Sequence, residues 1–509
     1  MLGGISWSAK IRPWARLAFL HRSVGARRRR DSESGLFRCW GTGLVLAVSL
    51  CGTITACTGL PAKPESARGP LRVHPTNPRY FADDQGRAVY LTGAHTWLNL
   101  QDVSAGPEMP RFDFLRYLDF LGRHHLNFIR LWRQEEALFE PLPYLRTGPG
   151  VALDGKPKFD LNQPNPEFYD RLVQRVEAAE RRGIYVAVML FQGWGIERKD
   201  PERPNDPWLV HPFHKANNVN GIDGDRNGDG AGTETHSLLD PAVIARQVEF
   251  VQRVIDAVNR FDNVLYEIAN ESTPDSMPWQ EYLVRLIHEY EATKPKQHPV
   301  LLTAPWGNKE ADLWASQAEA VSPALPDPHL QAYPYRDDPP ANDGRKVIVN
   351  DTDHLWGVGG TRAWVWKSFL RGLHPIYMDP YDPAAHPEFF DTVRETRDAV
   401  LEAMGQTRRL SGRLPLESMT PRYELCSTRY CLVAPGRAYV VYVPSSASDP
   451  SPQTVEVDLQ ASSGPFEVVW FSLDAGTGIT ERRVLPSGRV TLTAPFTGEA
   501  VLALRAMCQ

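Results

Sequence analysis

Residues 262–272 read Asp-Asn-Val-Leu-Tyr-Glu-Ile-Ala-Asn-Glu-Ser, an apolar strand that runs directly into Asn270-Glu271. Similar short runs recur along the chain at Val89–Gly93, Phe128–Trp132, Ile184–Phe191, Val300–Thr303, His329–Ala332, Lys346–Asn350 and Pro375–Met378. Between them lie stretches with apolar residues at three- and four-residue spacing, clearest over Glu167–Arg182 and Pro241–Arg260, and a Trp- and Phe-rich segment, Thr361–Leu373. Strands alternating with amphipathic helices predict a parallel sheet, and eight of them fit a (β/α)8 barrel. Val264–Ala269 is then the fourth strand, and Glu271 sits at its C-terminal end, where such barrels place their chemistry. A carboxyl in that mouth is partly shielded from water, so its pKa can rise enough to donate a proton at neutral pH. The plainer reading is that Glu271 only caps the next segment, since Asn and Ser on either side are turn formers.

After Pro415 the texture changes. Alternating runs at Ala438–Val443, Phe466–Phe471 and Arg489–Leu492 are separated by Pro, Gly, Ser and Asp, which predicts an all-β sandwich. The expected organisation is a leader over 1–57, a tether over 58–70, an α/β barrel over 71–412 and a small β-sandwich over 413–509.

The 509 residues are 42% hydrophobic and 23% charged, proportions that exclude wholesale disorder, a collagen-like chain and a multi-span membrane protein. Net charge is −5, yet the first 57 residues carry nine Lys or Arg against two acids, leaving a strongly acidic body. An acidic body argues against nucleic acid as a partner, because phosphate binding needs a basic face. The basic head reads as an export signal: Arg27–Arg30 supplies charge and Gly41–Ile54 is an apolar stretch short of a spanning helix. Its end, Ile54-Thr55-Ala56-Cys57, resembles the bacterial lipobox, which implies lipidation of Cys57, a membrane-anchored or secreted protein and removal of Cys39 and Cys51. In an oxidising compartment Cys426 and Cys431 suit a disulfide closing a β-hairpin, the alternative being two thiols. No Cys/His group has zinc spacing.

The fourth-strand pattern with Asn270-Glu271 resembles the clan A (β/α)8 glycoside hydrolases, the cellulase-like retaining enzymes. The whole chain is similar, more narrowly, to apiosidase-like barrels with a C-terminal collagen-binding-like domain; Val469-Trp470-Phe471, Gly476-Thr477-Gly478 and the finish Ala500–Leu504 carry that part. The resemblance implies an O-glycosidic hydrolase of poly- or oligosaccharides, with Glu271 as acid/base, Asn270 holding a sugar hydroxyl and a carboxylate nucleophile ending the seventh strand. Here the chain departs from the pattern. Where the clan has Glu, it has Asp351, which is therefore the expected nucleophile, with Asp353 the close second in Asp351-Thr-Asp-His-Leu-Trp356. Asp is one methylene shorter, and retaining hydrolysis needs carboxyl groups about 5–5.5 Å apart, so the stereochemical outcome stays open. Other strand ends offer His95 and Trp97 after the first strand, Arg130 and Trp132 at the second, Trp194 after the third, and Tyr333 and Tyr335 after the sixth, where the resemblance implies a Tyr that hydrogen-bonds the nucleophile. With His354 and Trp356 these form the expected substrate-binding set, Arg130 orienting the nucleophile and the Trp faces stacking on sugars.

One motif stands apart. Asp223, Asp225, Asn227, Asp229 and Glu234 fall in Asp-x-Asp-x-Asn-Gly followed by five residues and Glu, the spacing of a calcium loop. The segment before it is no incoming helix, so a bare Gly/Asp loop competes with a structural calcium ion. Two rivals to hydrolysis follow from these features: a non-catalytic surface protein binding polysaccharide or extracellular matrix, and a calcium-dependent adhesion protein.

Overall fold

The computed structural model describes residues 66–104, 111–196, 206–305, 310–323, 334–379, 381, 394–445, 451–460 and 462–507. The chain divides into two units, Met1–Pro64 and Glu65–Gln509, and everything below belongs to the second. The export signal, Cys57, most of the tether, Tyr333 and the run His329–Ala332 lie outside the described residues. Among the described residues no helix is long and apolar enough to cross a membrane.

Eight parallel strands close into a barrel in sequence order: β1 (Gly93–His95), β2 (Phe128–Leu131), β3 (Tyr185–Gln192), β4 (Val264–Asn270), β5 (Val300–Thr303), β6 (Ala320–Ser322), β7 (Val347–Asp351) and β8 (His374–Met378). Every residue of these strands is buried. That is why they read as continuous apolar runs: helices cover one face and the barrel interior the other. The crossover helices are α1 (Phe114–Arg123), α2 (Pro166–Glu180), α3 (Pro241–Val258), α4 (Met277–Glu291), α5 (Glu310–Ala315), α6 (Arg362–Leu370) and α7 (Arg394–Ser411). Local chemistry starts them. Asn165 and Asp240 each precede a Pro at the first helical turn and accept backbone N–H bonds with their side chains, as Thr361 does from Trp364 N–H.

Two strand assignments need correcting. The first barrel strand is Gly93–His95, not Val89–Gly93, because Ala88–Val89 belongs to a three-stranded sheet with Arg72–Val73 and Phe81–Ala82. Phe81 and Leu91 pack with Phe128, Leu265, Leu301, Val347 and Ile376 in one buried cluster. The sixth strand is Ala320–Ser322, which pairs with both neighbours and so takes the place expected for His329–Ala332.

The C-terminal region is the expected sandwich. Its strands are β9 (Thr420–Pro421), β10 (Cys431–Ala434), β11 (Ala438–Val443), β12 (Thr454–Asp458), β13 (Gly464–Ser472), β14 (Thr477–Leu485), β15 (Arg489–Thr493) and β16 (Ala500–Ala506). They form a six-stranded antiparallel sheet in the order β9-β10-β11-β16-β13-β14 and a β12-β15 pair. Val441, Val455, Val468, Trp470, Leu492 and Leu502 share one core between them. Arg362 of α6 reaches across to Glu499 and Asp474, each at 2.6 Å, and Tyr430 Oη donates to Asp338 at 2.8 Å. The expected disulfide is not formed. Cys426 and Cys431 are buried thiols, and the hydrogen bond from Cys431 lowers the Cys426 thiol to about 7.

Candidate active site

The barrel brings the C-terminal ends of β1, β2, β4 and β7 together around one guanidinium. Arg130, 1% exposed, donates from Nε to Glu267 at 2.9 Å and from Nη2 to the other oxygen of the same carboxylate. It also reaches Asn270 Oδ1 at 2.8 Å and Asp351 Oδ2 at 2.6 Å. Thr303 of β5 donates to Glu267 at 2.7 Å, so this inner carboxylate is spent on structure. A buried charge needs such pairing, since removing one partner strands the other in a medium that solvates it poorly.

Asp351 is equally occupied. His95 Nε2 lies 3.0 Å from its Oδ1, and the backbone N–H of Asp353 donates to that oxygen at 2.8 Å. Burial pushes the Asp351 carboxyl up, but the charges of His95 and Arg130 outweigh it and hold the group well below the usual carboxylate range. It is an anion at neutral pH, ringed by donors. His95 is itself fixed by stacking on Trp132, ring centroids 5.0 Å apart, and Arg130 lies over the same indole.

Asp353 is built differently. The residue is 4% exposed, yet its Oδ2 accepts no hydrogen bond among the described residues and meets only His354 Nε2, at 3.5 Å. One oxygen each of Glu271 and Asp353 and one ring nitrogen of His354 all lie within 4.8 Å of one another. Neither nitrogen of His354 has a hydrogen-bond partner among the described residues, although the residue is 7% exposed. A buried polar atom without a hydrogen bond costs about 1–3 kcal/mol, so three such atoms in one place, two of them held against each other only at 3.5 Å, mark a site shaped for something other than stability.

Glu271 sits in the left-handed region with φ 47°, a conformation that strains a non-glycine residue and persists only where its surroundings impose it. Two networks do so. On one side Asn270 is held by Arg130 and lies 3.4 Å from Gln192 Oε1. On the other, Ser272 Oγ lies 2.7 Å from His236 Nδ1, and His236 stacks on Trp279 with centroids 4.3 Å apart. Glu135 joins the two, accepting Gln192 N–H at 2.6 Å and facing His236 Nε2 at 3.5 Å. Burial pushes the Glu135 carboxyl up, but Arg133, His211 and His236 hold it well below its usual range. At its neighbour Glu136, backbone N–H bonds and the Arg133 charge do not offset burial, which raises the carboxyl to about 7. Gly193 completes the clamp, because a β-carbon there would collide with the Glu271 carbonyl.

The expected residues therefore divide. His95, Arg130, Asn270, Glu271, Asp351, Asp353 and His354 converge, and Trp132 backs them. Trp97, Trp194 and Trp356 are half-buried, and Trp356 meets Trp364 edge-to-face. Tyr335 is buried in a short helical turn, where its backbone carbonyl accepts bonds from Asn350 and Trp364. Glu267, Gln192, Thr303, Glu135, His236 and Ser272 join them without being marked by the sequence pattern. Glu267 had a legible signal, an acid inside a wholly apolar strand; Glu135 and His236 lie in connecting segments with none.

The loop of residues 223–234 lies apart from this cluster in its chemistry. Asp225 accepts the backbone N–H groups of Gly228, Asp229 and Gly230 at 2.9–3.1 Å, and Asn227 and Asp229 likewise bond within the loop. Asp223 faces Lys215 at 3.4 Å. Among the described residues, the group of three or more His, Cys, Asp or Glu donors close enough to share an ion is Glu271, Asp353 and His354, not the loop.

A sequence profile described as "Domain of unknown function (DUF6298)" matches residues 123–319, from the end of α1 to the start of β6. No curated protein matches the chain. Among solved structures, a glycoside hydrolase family 5 protein from Bacteroides vulgatus ATCC 8482 is similar at 12% identity and TM-score 0.58, covering 86% of this chain and 93% of its own. A candidate glycoside hydrolase from the same organism is similar at 15% identity and TM-score 0.54, covering 88% of this chain and 84% of its own. At such identities the likeness establishes the fold, a (β/α)8 barrel followed by antiparallel sheets.

Proposed function

We propose that the chain is a glycoside hydrolase acting through two carboxylates, Glu271 as acid/base and Asp353 as the group opposite it. The observation that carries this reading is the approach of the Glu271 and Asp353 oxygens to within 4.8 Å at the tips of β4 and β7. That spacing favours the retaining geometry, in which the second carboxylate attacks the sugar, over the wider gap that admits a water. Asp351, the last residue of β7 and the nucleophile expected from the sequence, is the weaker candidate for attack because His95, Arg130 and the Asp353 amide already occupy its oxygens. Its place is to fix the Asp353 loop. In the first step Glu271 protonates the departing oxygen while Asp353 bonds to the anomeric carbon; in the second, Glu271 takes a proton from the water that displaces it. The half-buried faces of Trp97, Trp194 and Trp356 are suited to stacking on sugar rings.

The leader motif extends the proposal to an exported, lipid-anchored enzyme. Acyl chains on Cys57 contribute about 0.8 kcal/mol per buried CH₂, so the wild type partitions into detergent and Cys57→Ser does not. The catalytic reading is tested by screening the chain against aryl glycosides and a polysaccharide panel. Glu271→Gln abolishes turnover of substrates with poor leaving groups and spares the first step on an activated aryl glycoside, which needs little protonation. Saccharide binding without turnover by the wild type, or unchanged rates in Glu271→Gln, overturns it.

A further inference from the structure

We propose that Glu271, Asp353 and His354 also form a binding site for one divalent transition-metal cation, and that the bound ion shuts the cleft to catalysis. The three donors come from the ends of two different strands, β4 and β7, and one ligand atom of each lies within 4.8 Å of the others. An ion with bonds of about 2.0–2.2 Å to nitrogen and oxygen draws its donors to within about 4 Å of one another, so a small rotation of the carboxylates closes the set.

The second observation is His354. It is 93% buried by its 7% exposure, and neither ring nitrogen makes a hydrogen bond among the described residues; Nε2 faces Asp353 Oδ2 at 3.5 Å, too long and too poorly aligned to satisfy either atom. A buried imidazole set loosely against a buried carboxylate, with Glu271 within reach of both, is a donor set with a place left for a cation. One imidazole and two carboxylates suit zinc and its neighbours better than calcium or magnesium, which prefer all-oxygen shells. Three protein donors leave further positions open to solvent or ligand. The support behind the donors is already in place, because the Asp353 N–H bonds to Asp351, which Arg130 and His95 hold.

With the ion bound, neither Glu271 nor Asp353 is free to transfer a proton or attack carbon, so occupancy and hydrolysis exclude each other. The inference uses the same side chains as the hydrolase reading, but its test does not need turnover. Zinc is titrated into the chelator-treated full chain in competition with a chromophoric chelator. The expected result is one tight equivalent, weakened at least 100-fold in His354→Ala and at least tenfold in Glu271→Gln, and unchanged in Asp225→Ala. Near-ultraviolet circular dichroism confirms that each variant is folded, and His354→Gln replaces any that is not. Absence of a tight equivalent in the wild type, or its retention in folded His354 and Glu271 variants, overturns the proposal. A chain that binds zinc and hydrolyses nothing when freed of it keeps this inference and loses the hydrolase; one that hydrolyses and ignores zinc does the reverse.

Discussion

In the loop of residues 223–234 the Asp225 carboxylate accepts three backbone N–H groups from within five residues of itself, whereas at the barrel mouth Asp353 Oδ2 and both His354 nitrogens are buried without a hydrogen bond among the described residues, their one ion pair a loose 3.5 Å contact with each other. Both regions are rich in acids, and both were legible as motifs. Asp225 and Asp229 are satisfied by turn chemistry that any Asp-Gly-rich segment supplies for itself, while Glu234 keeps one buried oxygen without a hydrogen bond among the described residues and burial raises its carboxyl. The strand-end acids are brought together by tertiary structure from positions some 80 residues apart, against their own solvation. The barrel mouth holds charge at a cost, whereas the loop holds most of its own within turn hydrogen bonds.

The sharpest way to break that contrast is at its anchor. Arg130→Ala leaves Glu267 and Asp351 buried without their cation and is expected to destabilise the chain by about 3–5 kcal/mol in urea unfolding. A loss under 1 kcal/mol would mean that the cluster is not the stressed assembly described here. A smaller effect is expected at Glu136. Its carboxyl is raised from an ordinary 4.5 to about 7, so its stabilising contribution is complete below pH 4.5 and is lost as pH rises through about 7. Glu136→Gln removes that loss, flattening the fall in unfolding free energy across this window by on the order of 3 kcal/mol. The smallest effect is in the loop. Asp225→Ala strands three amides and is expected to cost about 1–2 kcal/mol with turnover intact. Millimolar calcium is expected to raise the wild-type melting temperature by less than about 2 °C over chelator, and a larger rise abolished by Asp225→Ala would show the loop to be a metal site after all.

The barrel was legible because its strands are buried on both faces and long enough to stand out, as Val264–Asn270 does. The sixth strand escaped because Ala320–Ser322 is three residues long and has no period to show. The first shifted because Val89 serves the small N-terminal sheet and a separate short run, Gly93–His95, enters the barrel. At the site, strand-end position identified Glu271, Arg130 and the Asp351–Asp353 pair. It put the nucleophile at Asp351, with Asp353 second, because which of the two turns toward Glu271 depends on the donors His95 and Arg130, contributed by strands more than 200 residues earlier. The clamp behind Glu271 was unreadable for the same reason: Glu135, His236 and Ser272 meet only once the barrel closes.

The most direct test of the account is to trap the sugar on the enzyme. The 2-deoxy-2-fluoro derivative of whichever aryl glycoside the panel shows to be hydrolysed, carrying an activated leaving group, slows the second step and leaves the glycosyl group on its nucleophile. Peptide mapping then reads the labelled residue. The account predicts a single label on Asp353, absent in Asp353→Asn and present in Asp351→Asn. A label on Asp351, or no label together with a product of inverted configuration, would contradict it.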